Sequence, residues 1–328
     1  MDLFTHAVVP YAAARALGLP LKYRIAAALG GIAPDVDVLF AWIPLLHPEL
    51  YTFGHRGAWH SLAFGGAAVV VVMGFLSLPP VLRLARRFSK VELPIALTPR
   101  TFAVGYLAMI SHLVLDALTT DGPAALWPAD VRPVSLDLFY YTDALTTVWS
   151  LAIWIVLFFH RWPRFPRRVL LAGFLALLLI LGGARVLFHE AARAQLPEGR
   201  LYPDIQMGLW WNLEERDGMY VVTLQDSGSG RTLSVATYAV RAVLGPPGTG
   251  IGADAAIGAV LGSAEGRAFV WRLPAYGVIA VGNASSGTWS VLLTDVLGDA
   301  QIGDLRGLVP TTASYLVDAS GLVRRADR

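Results

Sequence analysis

In the stretch Ile110-Ser111-His112-Leu113-Val114-Leu115-Asp116, a histidine and a carboxylate stand four residues apart. On a helix both project from one face, one turn apart. Together they form half of a divalent-cation site, because imidazole nitrogen and carboxylate oxygen are ordinary ligands for such ions. Residues able to supply the other half occur at three more places. His6 lies near the start, Asp35 and Asp37 follow Pro34, and His55 and His60 bracket the run His55-Arg56-Gly57-Ala58-Trp59-His60-Ser61. The chain has seven histidines, and four of them belong to this set. It has no cysteine, which excludes thiolate ligands, a cysteine nucleophile and a disulfide framework. Any metal must therefore be held by His, Asp, Glu and water. His47, His160 and His189 read as interfacial or hydrogen-bonded histidines and stand outside the set.

These residues need elements to carry them, and the composition says what kind. Of 328 residues, 55% are hydrophobic and only 15% charged, against about 25% charged in an ordinary soluble domain. The net charge of +2 gives no reason to expect a nucleic-acid partner; a lipid bilayer is the partner expected. The N-terminus lacks a basic leader region, so no cleaved signal peptide is expected.

Composition changes near His189. Residues 1–188 read as a helical membrane domain and 200–328 as a β-rich extramembrane domain. The fold class expected is an α-helical polytopic membrane bundle of about six segments, one broken or re-entrant, followed by that β-rich domain. Trp59–Leu78, Thr101–Leu118, Ala144–Phe159 and Val169–Phe188 have about the length of a bilayer span. Two weaker segments precede them, Leu3–Leu17 and Ile25–Leu46. The second is interrupted by Gly30-Gly31 and by Pro34, with Asp35 and Asp37 at the interruption. Irregular backbone at membrane depth is tolerated only where protein or a water-filled cavity covers it, so the break predicts a polar site inside the bundle.

Basic residues orient the segments. Arg15, Lys22 and Arg24, then Arg83, Arg86, Arg87 and Lys90, then Arg161, Arg164, Arg167 and Arg168 mark three cytoplasmic loops. The intervening loops are poor in basic residues, with Asp121, Asp130 and Asp137 against Arg132. Both termini and the C-terminal domain are thereby expected outside a bacterial or archaeal inner membrane. His6, Asp35, Asp37, His55, His60, His112 and Asp116 then share the outer level of the bundle, where facing helices can assemble a metal site. Trp42, Trp127, Tyr140 and Tyr141 read as an interfacial aromatic belt.

In the C-terminal part, strands are expected at Met219–Leu224 after an Asp217-Gly218 turn, then at Thr232–Val240, Ala268–Leu273, Val278–Val281 and Trp289–Thr294. Leu244–Gly266 reads as a loop or a small helix. Its Gly245-Pro246-Pro247-Gly248-Thr249-Gly250 lacks the Lys-Ser/Thr of a phosphate loop.

At Asp2-Leu3-Phe4-Thr5-His6, Gly31-Ile32-Ala33-Pro34-Asp35-Val36-Asp37, the run from His55 to Ser61, and His112 with Asp116, the chain resembles the YdjM/YbcI-like family of inner-membrane metal-dependent hydrolases. The resemblance covers the membrane domain and implies a hydrolase using a metal in the membrane. A more distant likeness is to the helical zinc phospholipases C and single-strand nucleases, which order an early His, an Asp, a His and a His-x-x-x-Asp pair in the same way. Those enzymes carry a second such pair, and none follows Asp116, so one or two ions are expected rather than three.

The reading is a membrane-bound hydrolase acting on a phosphoester or lipid-like substrate. His6, Asp35, His60, His112 and Asp116 are the expected ligands of one or two divalent ions, zinc or manganese by ligand type. Asp37 and His55 are ligands or general acid–base groups, and Arg56 is placed to hold an anion. Two other readings stay open. One is an ion- or proton-coupled transporter, to which a broken helix is suited; the other is a structural metal site anchoring a periplasmic binding domain.

Overall fold

The computed structural model describes residues 1–89, 94–141, 144–159, 167–245, 251–302 and 311–326. Lys90, Arg161, Arg164 and His160, and residues 246–250 of the glycine-rich stretch, lie outside the described residues. The chain divides into two compact units. One comprises residues 1–46, 52–187 and 205–207; the other comprises 47–51, 188–204 and 208–328. The N-terminal region is helical and the C-terminal region is rich in β-sheet.

The first unit begins with α1 (Leu3–Ala16) and α2 (Leu21–Ile32). Asp2 caps α1, accepting from the Phe4 and Thr5 amides at 3.0 Å each, so two of the donors that every helix start leaves bare are satisfied. Contrary to expectation, α2 runs through Gly30-Gly31, and the interruption falls at Pro34 alone. The two glycines serve close approach instead: a Cβ on Gly30 would run into the carbonyl of Gly105, and one on Gly31 into that of His6. Pro34, which cannot continue an α-helix, opens a 3-10 turn over Pro34–Phe40 that leads into the short α3 (Ile43–Leu46).

A second 3-10 turn, Ala58–His60, precedes α4 (Leu62–Leu76), which Ser61 caps through the Phe64 amide at 3.0 Å. The stretch expected as a basic loop from Pro79 instead starts as a helix, α5 (Pro79–Ser89). Proline suits a first helical turn, and no glycine interrupts the residues that follow. α6 (Pro99–Ala117) opens with a capping box in which Thr98 and Thr101 bond each other's backbone amides. α7 (Ala144–Phe159) and α8 (Arg167–Gln195) follow, the unit taking α8 as far as Leu187, and α8 continues seven residues beyond the expected end at Phe188. Among the described residues, one helix is by itself long and apolar enough to cross a bilayer, the Ala172–Gln195 part of α8. Ala26, Ala33, Ala68, Val69, Met73, Met109 and Leu113 form the core joining α2, α4 and α6. The small residues among them let the helices that carry the site approach closely.

The second unit holds two sheets. Four antiparallel strands, β1 (Arg200–Pro203), β2 (Leu209–Arg216), β3 (Met219–Asp226) and β4 (Arg231–Ala239), pair in chain order. The β2–β3 turn is Asp217-Gly218 with φ of 52° and 72°, the left-handed pair that a tight hairpin needs. The second sheet orders β5 (Arg241–Leu244), β6 (Tyr276–Asn283), β7 (Thr288–Asp295), β8 (Thr312–Val317) and β9 (Val323–Arg325). β5 and β6 are parallel and are connected through α9 (Ala253–Gly262) and α10 (Ala264–Val270). α10 replaces the strand expected at Ala268–Leu273. Ser263 caps it through the Gly266 amide at 3.0 Å, a local signal that outweighs the short apolar run. A short α11 (Val296–Ile302) follows β7.

Candidate metal centre

Each donor reaches the site through a different local device. α1 carries His6, and Thr5 beside it bonds Asp2 at 2.6 Å and Ser150 of α7 at 2.6 Å, which sets the roll of the helix. The 3-10 turn after Pro34 advances about 120° per residue, so Asp35 and Asp37 point to different neighbours. The Ala58–His60 turn presents His60, and α6 presents His112 and Asp116 from one face. The side chains of His6, Asp37, His60, His112 and Asp116 are buried, while 16% of Asp35 and 29% of His55 remains exposed.

The donor atoms converge. Asp116 Oδ1 lies 3.2 Å from His6 Nε2, and Asp116 Oδ2 lies 3.3 Å from His112 Nε2 and 3.8 Å from His60 Nε2. Asp35 Oδ1 lies 3.3 Å from His60 Nε2 and 3.7 Å from His112 Nε2. For metal–ligand bonds of about 2.1 Å, donors 90–109° apart stand about 3.0–3.4 Å from one another. Three overlapping groups could hold an ion: His6, Asp35 and His112; Asp35, His55 and His60; and His60, His112 and Asp116.

The tautomers suit that use. His112 Nδ1 is 2.6 Å from the Gly31 carbonyl, which can only accept, so the proton sits on Nδ1 and Nε2 offers its lone pair. That Nε2 is buried without a hydrogen-bond partner, as is His6 Nδ1. A bare imidazole lone pair facing two carboxylate oxygens is costly unless a proton or a metal cation lies between them. On that ground the residues present fit a divalent ion.

Asp37 plays a different part from Asp35. Its Oδ1 bonds His55 Nδ1 at 2.8 Å, and its Oδ2 lies 2.9 Å from His60 Nδ1, close as an ion pair though not aligned as a hydrogen bond. It therefore sits behind two imidazoles, where a carboxylate orients a ligand histidine.

Arg56 is 1% exposed and has a φ of 61°, a left-handed conformation uncommon for a bulky residue. Its Nη1 donates to Thr119 Oγ1 at 2.9 Å, the Thr120 carbonyl at 3.1 Å and the Asp121 carbonyl at 2.7 Å. Its Nη2 donates to Asp116 Oδ1 at 3.1 Å, and the guanidinium lies 4.1 Å from the ring centre of Tyr141. Tyr141, expected in an interfacial belt, is thus also a lid on a buried cation. The Met1 amine is 2.5 Å from the same Asp116 oxygen. Gly31, Thr119 and Tyr141 were not among the expected site residues. The glycine pair beside Pro34 was the one available signal, and it was legible only as a break.

The chain matches the YdjM inner membrane protein family over residues 1–191. It belongs to that family. The matched region contains every residue of the centre, from His6 to Asp116, and as a YdjM family member the chain is a membrane protein. Neither the curated proteins nor the solved structures contain a match to it.

Proposed function

We propose that this YdjM family chain is a membrane-bound, metal-dependent hydrolase of phosphoesters, working at the outer face of the inner membrane as a multi-pass protein with its C-terminal domain outside. The observation that carries the reading is the buried, unpartnered Nε2 of His112, aimed at carboxylate oxygens of both Asp35 and Asp116. His6, Asp35, His60, His112 and Asp116 would hold one or two divalent ions, zinc or manganese by donor type. Such an ion supplies Lewis acidity and activation of water at neutral pH.

The protein's own groups do the rest. His55 is the most exposed imidazole of the set and is bonded through Nδ1 to Asp37, a carboxylate–imidazole pairing on the open side of the centre that suits it to exchange a proton with water or with the leaving alkoxide. As water attacks phosphorus and the P–O ester bond breaks, His55 takes the proton from water and returns it to the departing oxygen. Asp37 holds His55 and His60 in register. Arg56, with its donors on Asp116, on the Thr119 hydroxyl and on the Thr120 and Asp121 carbonyls, acts as a positioning residue for that carboxylate.

The test is to purify the protein in detergent, measure bound metal, and assay phosphomonoester, phosphodiester and phospholipid cleavage for wild type and His112→Ala. Stoichiometric metal and hydrolysis in the wild type, both lost in the variant, are expected. A wild-type protein that binds no metal refutes the reading. Ion uptake into proteoliposomes that Asp35→Asn abolishes, without hydrolysis, replaces it with a transporter.

A further inference from the structure

The apolar run that follows the two aspartates has no part in holding an ion. Val38-Leu39-Phe40-Ala41-Trp42-Ile43-Pro44-Leu45-Leu46 contains no charged residue. Yet Leu39, Trp42, Leu45 and Leu46 are 68, 55, 64 and 69% exposed. A contiguous exposed apolar run of this kind marks an interaction surface.

Three observations say what covers it. First, polar groups of the run bond within it: the Ala41 amide bonds the Val38 carbonyl at 3.3 Å, the Leu46 amide bonds the Trp42 carbonyl at 3.2 Å, and Trp42 Nε1 donates to the Leu39 carbonyl at 3.2 Å. Internal bonding of this kind is what hydrocarbon demands of a backbone, and water does not. Second, the chain is a member of an inner membrane family, so a bilayer is at hand. Third, the run is continuous with the open side of the metal centre. Asp35 and His55 are the two site residues with appreciable exposure; Asp35 is on the 3-10 turn that carries Val38 and Leu39, and His55 is bonded to Asp37 of that turn. Phe40 stacks on Trp59 with ring centres 6.2 Å apart, next to His60, so the run is latched to the centre.

We propose that Val38–Leu46 lies in one leaflet of the bilayer and that the metal centre is reached from it, the substrate being a membrane lipid with a phosphoester headgroup. The headgroup would enter on the open side of the centre, beside Asp35 and His55, and the acyl chains would lie along Leu39, Trp42 and Leu45. The substrate assignment rests on the hydrolase reading, whereas the leaflet position does not.

The absence of cysteine makes the test clean. Single cysteines placed as Leu39→Cys and Leu45→Cys, with Ser229→Cys as the exposed control, carry a nitroxide in nanodiscs of phosphatidylglycerol and phosphatidylethanolamine. The two leucine positions are expected to collide with oxygen and be shielded from an aqueous nickel chelate, and the control to show the reverse. Nickel accessibility at Leu39 and Leu45 equal to the control overturns the proposal, whatever the activity. Hydrolysis supplies the second arm. Leu39→Glu with Leu45→Glu is expected to lower turnover of vesicle-borne phosphatidylglycerol by about tenfold or more, since interfacial binding scales with buried apolar area, and to spare a water-soluble aryl phosphate. Equal losses on both substrates overturn access from the bilayer. If neither substrate is cleaved by the wild type, the hydrolase reading fails, and the nitroxide result alone upholds or overturns the leaflet position.

Discussion

Asp37→Asn tests whether that carboxylate would itself hold an ion or only position the histidines that would. The substitution keeps shape and burial but removes the charge that faces His55 Nδ1 at 2.8 Å and His60 Nδ1 at 2.9 Å. Of those two imidazoles, His60 belongs to the proposed ligand set, its Nε2 standing 3.3 Å from Asp35 Oδ1 and 3.8 Å from Asp116 Oδ2. Without that charge, the His60 ring loses the electrostatic contact that fixes its Nδ1 edge and is free to turn or change tautomer, which withdraws the Nε2 lone pair. Losses of this kind behind a ligand histidine weaken metal binding about 10–100-fold, or about 1.4–2.8 kcal/mol. Deletion of a proposed ligand by His112→Ala should cost more, because it removes a donor that faces both Asp35 and Asp116. The assay is competition with a chromophoric chelator for zinc and for manganese, on metal-stripped protein in detergent, with Asp35→Asn as comparator. If Asp37→Asn loses metal as completely as His112→Ala, Asp37 is itself a ligand. If its affinity stays within about threefold of wild type, below about 0.7 kcal/mol, the positioning argument fails.

Three further outcomes are expected. Gly31→Ala should lower the thermal unfolding midpoint in detergent and reduce bound metal. The new Cβ meets the His6 carbonyl and comes within 2.8 Å of Pro10 Cγ, and overpacking of this kind costs about 1–3 kcal/mol; an unchanged midpoint would show that α1 yields freely. Arg56→Ala strips a buried charge from Asp116, a loss of about 3–5 kcal/mol, so little folded protein should survive purification; a well-folded variant with normal metal content would place the guanidinium outside the support of Asp116. Chelation should lower the midpoint of the wild type, and zinc or manganese at one hundred times its dissociation constant should restore about 2.7 kcal/mol. His112→Ala should show no response to either treatment.

Much of the centre could be read without a fold. With no cysteine, donors are confined to His, Asp and Glu, and ionisable residues are few in the apolar stretches, so His6, Asp35, His60, His112 and Asp116 stand out by type alone. The four-residue spacing of His112 and Asp116 put them on one helical face, and Pro34 had to interrupt its segment because proline cannot continue a helix. Local chemistry has two uses at two other places. Gly30-Gly31 is as good a contact surface as a break, and only the approach of α1 and α6 shows that it is the former. Residues 268–273 are apolar enough for a strand, but the Ser263 cap and the packing of α9 draw the start of that run into α10. Tertiary structure alone decided the division of labour between Asp35 and Asp37. They are two residues apart on a 3-10 turn, and only the neighbours at each azimuth show that one faces the His60 and His112 Nε2 atoms and the other the Nδ1 atoms of His55 and His60. The tautomer of His112 was settled the same way, by a backbone carbonyl 81 residues away in sequence. Residue type limits which atoms can bind an ion; which of them point at the same place depends on packing between segments distant in the chain.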